Sequence, residues 1–157
     1  MAKTLDQVDK DILKALQQDA RLSSDALAER VGASRSSVQR RLKRLNEIGV
    51  IEREVVQLNP ESAADLMTFV VEVELERERI DLLDEFKRSM QALEAVQQCY
   101  YITGQADFVL IVLVKDMKDY DRFSRQVFVE NPNIRRFATS VVVDRVKASL
   151  RIPFGDD

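Results

Sequence analysis

Residues 23–45, SSDALAERVGASRSSVQRRLKRL, contain the pattern that decides the fold of the first part of this chain. Ser23 or Ser24 is placed to cap a short helix. Its inward face is formed by apolar residues at helical spacing: Leu27, Ala28 and Val31. Gly32 permits the positive φ that ends this helix, and Ser34 is placed to cap the next one. Two helices joined by a short glycine-containing turn predict a helix-turn-helix.

A further helix is predicted upstream of this pair, which makes a three-helix domain. Thr4 and Gln7 are spaced as a capping box at its start. Apolar residues then follow at helical spacing: Val8, Ile12, Leu13 and Leu16. At the other end of the domain, Gly49 is placed to terminate the third helix, and residues 50–58 read as an extended strand before Asn59-Pro60.

The third helix concentrates positive charge in a chain whose net charge is −3. From Ser34 to Leu45 there are five cations and no acid. An ordinary solvated helix face is the alternative interpretation, but such faces mix signs and gain from i,i+4 pairing. DNA phosphates give a reason to gather cations on one element, so we predict that this helix binds double-stranded DNA. Residues 1–60 carry +2 and residues 61–157 carry −5, which agrees with this assignment.

The residues expected to contact DNA lie on the outward and flanking faces of this helix: Arg35, Ser36, Ser37, Gln39, Arg40, Arg41, Lys43 and Arg44. Val38, Leu42 and Leu45 form its core face. We expect bases to be read by Ser36, Gln39 and Arg40. Arg41 and Arg44 fall on the flanks, where phosphate contacts are expected.

Composition argues against several other classes of protein. The chain has one cysteine, Cys99, and no histidine, so an internal disulfide and the commonest general base and metal ligand are excluded. No apolar run has membrane-spanning length, and no signal-peptide pattern opens the chain. We expect a cytoplasmic protein that is not an enzyme and has no cofactor, no metal site and no membrane contact.

From Met67 the apolar period changes to two, which indicates a second domain. A strand, a helix, two strands over 96–103 and 108–115, another helix and a last strand over 137–147 follow in order. This βαββαβ order is that of a ferredoxin-like fold. The chain is therefore predicted to be α+β. Its three predicted segments are a winged-helix-like helix-turn-helix domain over 1–50, a linker strand over 51–66 and a ferredoxin-like domain over 67–157.

The predicted strand Phe108–Val114, FVLIVLV, is apolar on both faces. One layer of helices covers only one face of a sheet, so the other face needs a cover. We expect that cover to be a second copy of the chain, in a homodimer. The alternative is that the linker or a terminal segment covers it.

Both domains resemble the Lrp/AsnC family, the feast/famine transcription regulators of bacteria and archaea. The resemblance rests on motifs spread over residues 5–150: Leu5-Asp6, Asp9, Ile12-Leu13, Leu27-Ala28, Val31-Gly32, the basic helix, Gly49-Val50-Ile51, Leu58-Asn59-Pro60, Cys99-Tyr100 and Thr103-Gly104-x-x-Asp107-Phe108. It implies dimers that pair through the linker strands and ferredoxin-like domains, commonly assembled into octamers. It also implies that an amino acid or related metabolite binds where dimers meet.

The resemblance places this effector at seven residues: Gly104, Gln105, Asp107, Phe108, Phe137, Thr139 and Ser140. Phe137 stands where many family members have a threonine, and Gln105 where Asp or Asn is frequent. The carboxylate of Asp107 suits an α-ammonium, and backbone N–H groups around Gly104 suit an α-carboxylate. The alternative for Gly104 and Asp107 is a structural hairpin turn.

Two further functions remain as alternatives. One is an architectural DNA-binding protein with no effector. The other is a tetrapyrrole decarboxylase of similar domain plan, a chemistry in which histidines are implicated and which this histidine-free chain is poorly equipped to perform.

Overall fold

A computed structural model of the protein describes residues 5–155. The described chain divides into two compact units. Unit 1 comprises residues 5–57 together with 148–155, and unit 2 comprises Leu58–Lys147. None of the helices in residues 5–155 combines the length and the apolar composition needed to cross a bilayer.

Unit 1 is built from three helices: α1 (Gln7–Gln18), α2 (Ser24–Val31) and α3 (Arg35–Glu47). The predicted serine caps are confirmed, because the Ser23 hydroxyl accepts the Ala26 N–H and the Ser34 hydroxyl accepts the Ser37 N–H. Five buried residues pack into one core: Ile12, Ala15, Leu27, Ala28 and Val38. All of them except Ala15 were predicted to face inward. The described residues 5–57 contain no paired strand.

Glycines end two of these helices, as the sequence predicts. Gly32 has φ +64° and ends α2. After α3, Gly49 has φ +67°, its N–H donates to the Asn46 carbonyl, and the Val50 N–H donates to the Leu45 carbonyl. This pair of bonds is a Schellman motif, which satisfies carbonyls that the helix end would otherwise leave open.

The capping box of α1 differs from the prediction. Thr4 lies outside the described residues, and Gln7 is already the first residue of the helix. The N-cap is Asp6, whose carboxylate accepts the Asp9 N–H at 2.9 Å, while the Asp9 carboxylate accepts the Asp6 N–H at 3.3 Å.

Asp9 also fixes the position of α3. It is only 1% exposed, yet it is charged and holds two cations of that helix. Arg41 Nη1 donates to Asp9 Oδ1 at 2.8 Å and to Asp6 Oδ2 at 2.6 Å, and Arg44 Nη2 donates to Asp9 Oδ2. Burial raises the pKa of the Asp9 carboxyl, but hydrogen bonds from Arg41 and Arg44 outweigh it and hold the pKa below its usual value.

Unit 2 begins with the short helix α4 (Pro60–Ala64) and then follows the predicted βαββαβ order. The elements are β1 (Met67–Leu75), α5 (Ile80–Gln91), β2 (Val96–Tyr101), β3 (Phe108–Val114), α6 (Met117–Ser124), a π-helical turn (Arg125–Val129) and β4 (Ile134–Val141). The four strands pair antiparallel in the order β2-β3-β1-β4, which is the ferredoxin-like arrangement.

One face of this sheet is covered by α5 and α6. The side chains on the covered face form the core of unit 2: Phe69, Val71, Val73, Phe108, Leu110 and Val112 from the strands, with Phe86, Met90, Tyr120 and Phe128 from the helices. Residues of β3 on the opposite face, Val109, Ile111 and Leu113, are only half-buried. They lie beside Glu72, Val70 and Thr68 of β1. We call the side of the sheet that these residues share the open face.

The segment boundaries differ from the prediction in three places. Residues 52–59 form no strand, because within the described chain no neighbouring strand pairs with them. β4 spans Ile134–Val141 rather than residues 137–147. Residues 148–155, predicted to belong to the second domain, group with unit 1, where Gln17 of α1 exchanges two hydrogen bonds with the backbone of Ile152.

We predict that Asp9→Asn lowers the stability of unit 1 by about 1–3 kcal/mol, because it leaves the guanidinium groups of Arg41 and Arg44 without their shared charged partner. Urea unfolding measures this, with Asp11→Asn on the same helix as the control. Since the pKa of Asp9 is lowered by folding, its stabilisation is present at neutral pH and is lost as the pH falls through that lowered pKa. Equal midpoints for Asp9→Asn and wild type at pH 7 would contradict the prediction.

Candidate DNA-binding surface and effector residues

The outward face of α3 is exposed as predicted. Ser36, Gln39, Arg40 and Lys43 are all exposed, while Val38 and Leu45 on the opposite side are fully buried. Among the described residues Arg40 forms no ion pair. Lys43 has only a long contact, 3.9 Å from its Nζ to Glu47 Oε1. This face therefore presents two cations and two uncharged polar side chains, and none of the four forms a close ion pair within the described chain.

The residues at the start of α3 have partners close by. Arg35 is exposed and its Nη1 lies 3.2 Å from Asp25 Oδ2. Ser37 is half-buried, and its N–H donates to the Ser34 cap. The Ser34 and Ser36 hydroxyls are 3.2 Å apart. The first turn of α3 thus offers hydroxyls and one weakly held cation.

Arg41 and Arg44 have charged partners inside unit 1. Both were expected to flank the DNA surface, but both are ion-paired with Asp9 inside unit 1. The Arg41 side chain is 22% exposed and also binds Asp6, so its guanidinium joins α3 to the start of α1. Arg44 is 42% exposed and keeps part of its guanidinium accessible. Sequence reasoning missed Asp9 as the cause, although an acid three and four residues before the inward Ile12 and Leu13 was a usable signal.

The predicted effector loop is the connection between β2 and β3. Gly104 is exposed and has φ +142°, a conformation that favours glycine, and Gln105 is exposed beside it. Asp107 is half-buried, and its Oδ2 accepts the Leu75 N–H at 2.6 Å. Its backbone N–H donates to the Val73 carbonyl at 2.9 Å. Asp107 thus serves the turn structurally, while its Oδ1 accepts no hydrogen bond from the described residues.

The other predicted effector residues lie on different sides of the sheet. Phe108 is fully buried in the core, and the ring of Phe137 packs 5.0 Å from that of Phe128. The Thr139 hydroxyl bonds the Tyr120 phenol on the covered face. Ser140 is paired with Val70 and therefore belongs to the open face. The ring of Phe108 lies in the core and the ring of Phe137 is partly buried against it, so contact of a ligand with these two residues stays a prediction.

Burial raises the pKa of the Tyr120 phenol, and the hydrogen bond with Thr139 opposes that shift only in part. The ring stacks on Phe69 with centroids 4.1 Å apart. The phenol is thus neutral and held in place, so the Thr139 hydroxyl has a fixed partner within unit 2.

A separate cleft of about 490 Å³ lies between α5 and the π-helical turn. Its walls include Phe86, Met90 and Val127, with Glu85 and Glu130 beside them. None of the seven predicted effector residues lines it. Within residues 5–155 no group of three or more His, Cys, Asp or Glu side chains is placed to hold a metal ion.

Comparison with known proteins identifies both units. Residues 5–52 match the family model of a winged helix-turn-helix DNA-binding domain, and residues 68–152 match that of the Lrp/AsnC ligand binding domain. The chain is 47% identical over 152 residues to an uncharacterised HTH-type transcriptional regulator of Sinorhizobium fredii, covering 97% of this chain and 90% of that protein. It is 33% identical over 150 residues to the leucine-responsive regulatory protein of Escherichia coli, covering 96% and 92%.

Solved structures of regulators from this family have the same fold as this chain. A transcriptional regulator of Neisseria meningitidis, determined as a complex with L-Met, superposes with a TM-score of 0.86 at 29% identity, covering 96% of this chain and 97% of that one. An AsnC family regulator of Agrobacterium tumefaciens gives 0.87 at 29% identity, covering 95% and 97%. The chain belongs to the Lrp/AsnC family of DNA-binding transcriptional regulators, with a helix-turn-helix unit followed by a ligand-binding domain.

Proposed function

We propose that this regulator binds double-stranded DNA as a homodimer through α3 and that an amino acid or close metabolite modulates the binding. The observation that carries the proposal is the exposed face of α3, where Arg40 and Lys43 stand beside Ser36 and Gln39 without strong internal partners. Free cations and short polar side chains on one helix face are what base edges and phosphates require.

We assign a role to each polar residue of α3 from its exposure and its ion pairs inside unit 1. Arg40 and Gln39 point outward and suit base contacts, and Ser36 can add a hydroxyl contact. Lys43 and the accessible part of Arg44 suit phosphates. Arg41 contributes by holding α3 against α1 rather than by touching DNA.

Two exposed apolar surfaces support association of chains. On the open face, Val109, Ile111 and Leu113 of β3 lie half-buried beside Val70 of β1. In the linker, Val55 is 64% and Val56 77% exposed. A second copy that packs sheet against sheet and pairs the linkers covers both surfaces, and it gives the linker the strand partner that one chain lacks. Further assembly of such dimers, to an octamer, is the arrangement we propose.

The effector is proposed to bind at the β2–β3 connection. Exposed Gly104 and Gln105 supply accessible backbone groups, and Oδ1 of Asp107 is available for an ammonium group while Oδ2 holds Leu75. Ser140 lies on the open face and can reach a ligand only from that side. We propose that a neighbouring chain completes the site.

The regulator is proposed to act in the cytoplasm, in contact with chromosomal DNA, and not as an enzyme. The relatives reported above are named as transcriptional regulators. No observation on residues 5–155 favours a tetrapyrrole decarboxylase or an architectural protein without an effector over this function.

Replacing Arg40 and Lys43 by alanine, singly and together, tests the DNA surface. Arg40→Ala should cost about 1–3 kcal/mol at one base pair if it reads a guanine edge. Lys43→Ala should weaken all sequences alike and lower the salt slope by about 1. Gel shift or fluorescence anisotropy over a salt series measures both effects, and Arg88→Ala, which removes an exposed cation from α5, is the control. Wild-type affinity in the double variant would refute the assignment.

Association is tested by placing a charge on the open face. Ile111→Glu should weaken dimerisation by roughly a hundredfold or more, because burying an unpaired carboxylate costs about 3–5 kcal/mol. Sedimentation equilibrium at micromolar concentration measures it. Val129→Glu, at a position that is 66% exposed beside the helix layer, is the matched control. A monomeric wild-type chain, or equal behaviour of the two variants, would rule out the sheet interface.

The effector site is tested with Asp107→Asn, which preserves an oxygen that can accept the Leu75 N–H but removes the charge. A thermal-shift screen of the amino acids, beginning with L-methionine, identifies the ligand, because selective binding to the native state raises its stability. Asp107→Asn should then weaken binding by about 1–3 kcal/mol in calorimetry, since the ammonium loses its charged partner. Unchanged binding in this variant, or no binding by any amino acid, would reject the site. Unliganded DNA affinity serves as the control.

A further inference from the structure

The cleft between α5 and the π-helical turn lies entirely within unit 2 and is separate from the residues proposed for the effector. Its volume of about 490 Å³ lies in the range of small-molecule sites. One wall is a single face of α5, whose lining residues recur at helical spacing: Leu82, Glu85, Phe86, Ser89, Met90 and Leu93. One chain therefore forms here a concave surface that neither α3 nor the β2–β3 connection uses.

The opposite wall is shaped by the π-helical turn. The Glu130 N–H donates to the carbonyl of Arg125, five residues earlier, at 3.1 Å. Such turns are rare in proteins and are frequent at functional sites. Val127 and Glu130 of this region line the cleft. Just beyond them, the Asn133 side chain exchanges two hydrogen bonds with the backbone of Arg77, each of 3.2 Å, so this wall is held in position from outside the cleft.

The inner surface of the cleft is apolar. Phe86 and Met90 are buried, and Val127 on the facing wall is half-buried. An aromatic ring and a thioether favour contact with a hydrocarbon chain or a second ring. A ligand of this cleft is therefore expected to have an apolar body.

The exposed part of the cleft carries negative charge. Glu85 and Glu130 come from opposite walls, both are exposed, and neither forms an ion pair with another described residue. Among the described residues that line the cleft, none is a lysine or an arginine. The nearby Arg125 does not line it, and its Nη2 lies 3.5 Å from Asp121 Oδ2. A cationic group is therefore favoured at this position, while a carboxylate meets like charge without a cationic partner.

We propose that this cleft is a further small-molecule site, which binds an amine that has an apolar body and no carboxylate. The ammonium group is held by the carboxylates of Glu85 and Glu130, and the body packs on Phe86, Met90 and Val127. An amino acid with the same side chain is disfavoured, because its α-carboxylate faces the two glutamates. The class of ligand therefore differs from the one proposed for the β2–β3 connection, and the two sites bind independently of each other's identity.

The test titrates the full-length protein with phenethylamine and with L-phenylalanine, which differ only in the carboxylate. The ¹³C-labelled methyl group of Met90 reports on the cleft, and that of Met117, which is exposed at the start of α6, is the control. Phenethylamine should shift the Met90 resonance with a dissociation constant of about 1 mM or below. L-Phenylalanine should act on Met90 at least about tenfold more weakly, because like charges repel in the cleft.

Variants of the lining residues locate the binding. Glu85→Gln and Glu130→Gln should each weaken phenethylamine binding by about fivefold, the upper range for an exposed ion pair. Asp84→Asn is the matched control, because Asp84 precedes Glu85 on α5 but contacts Lys87 at 3.7 Å instead of lining the cleft. Ser89→Trp places a large ring in the cleft from an exposed position and should abolish the binding.

A Met90 resonance that phenethylamine leaves unshifted would overturn the proposal. Equal titration by phenethylamine and L-phenylalanine would also overturn it, as would wild-type affinity in both glutamine variants. Asp107→Asn should bind phenethylamine as the wild type does. A failure of the proposed effector site therefore appears separately, in the calorimetry of that variant with amino acids.

Discussion

The ion pairs of one buried carboxylate position the DNA-binding surface. Asp9 lies on α1 at 1% exposure and accepts from Arg41 and Arg44 of α3, so the two helices are joined by charge as well as by apolar packing. A carboxylate in that place is tolerated only because two guanidiniums satisfy both of its oxygens. Their combined effect outweighs burial and keeps Asp9 ionised, which in turn fixes the rotation of α3 about its axis. The face opposite the core, with Arg40 and Lys43, is directed outward as a result.

This arrangement divides the cations of α3 into those that form ion pairs inside unit 1 and those that remain exposed. Arg41 neutralises Asp6 and Asp9 and has little surface left for a phosphate. Arg40 has no acidic partner among the described residues, and Lys43 has only a long contact with Glu47, so both charges remain exposed. The excess of positive charge that marks α3 in the sequence is therefore larger than the charge it can offer to DNA. Counting cations along a helix overestimates its phosphate contacts whenever a buried acid faces it from a neighbouring helix.

Local sequence patterns predicted the helices and strands of this chain well, but they did not predict which residues distant in the sequence contact one another. The serine caps, Gly32 and the alternation in β1 act within a few residues, and each is confirmed. The partners of Asp9 lie 32 and 35 positions away, and that of Ile152 lies 135 away, so no local period reveals them. The predicted effector residues lie on both faces of the sheet for a related reason. A motif gives positions in the chain, while the strand register decides that Thr139 faces α6 and Ser140 faces the other way.

The packing of the ferredoxin-like unit decides which of the predicted effector residues stay accessible. The helices α5 and α6 cover one face of the four strands. The ring of Phe108 is buried in the core on that side, and the ring of Phe137 is partly buried against it. What remains for recognition is the open face, the exposed turn at Gly104 and the free oxygen of Asp107. The apolar part of the open face favours contact with protein over contact with water. In the proposed function, association and ligand binding use adjoining surfaces of the same sheet, and the two are coupled where the ligand binds the associated chain with a different affinity from the single chain.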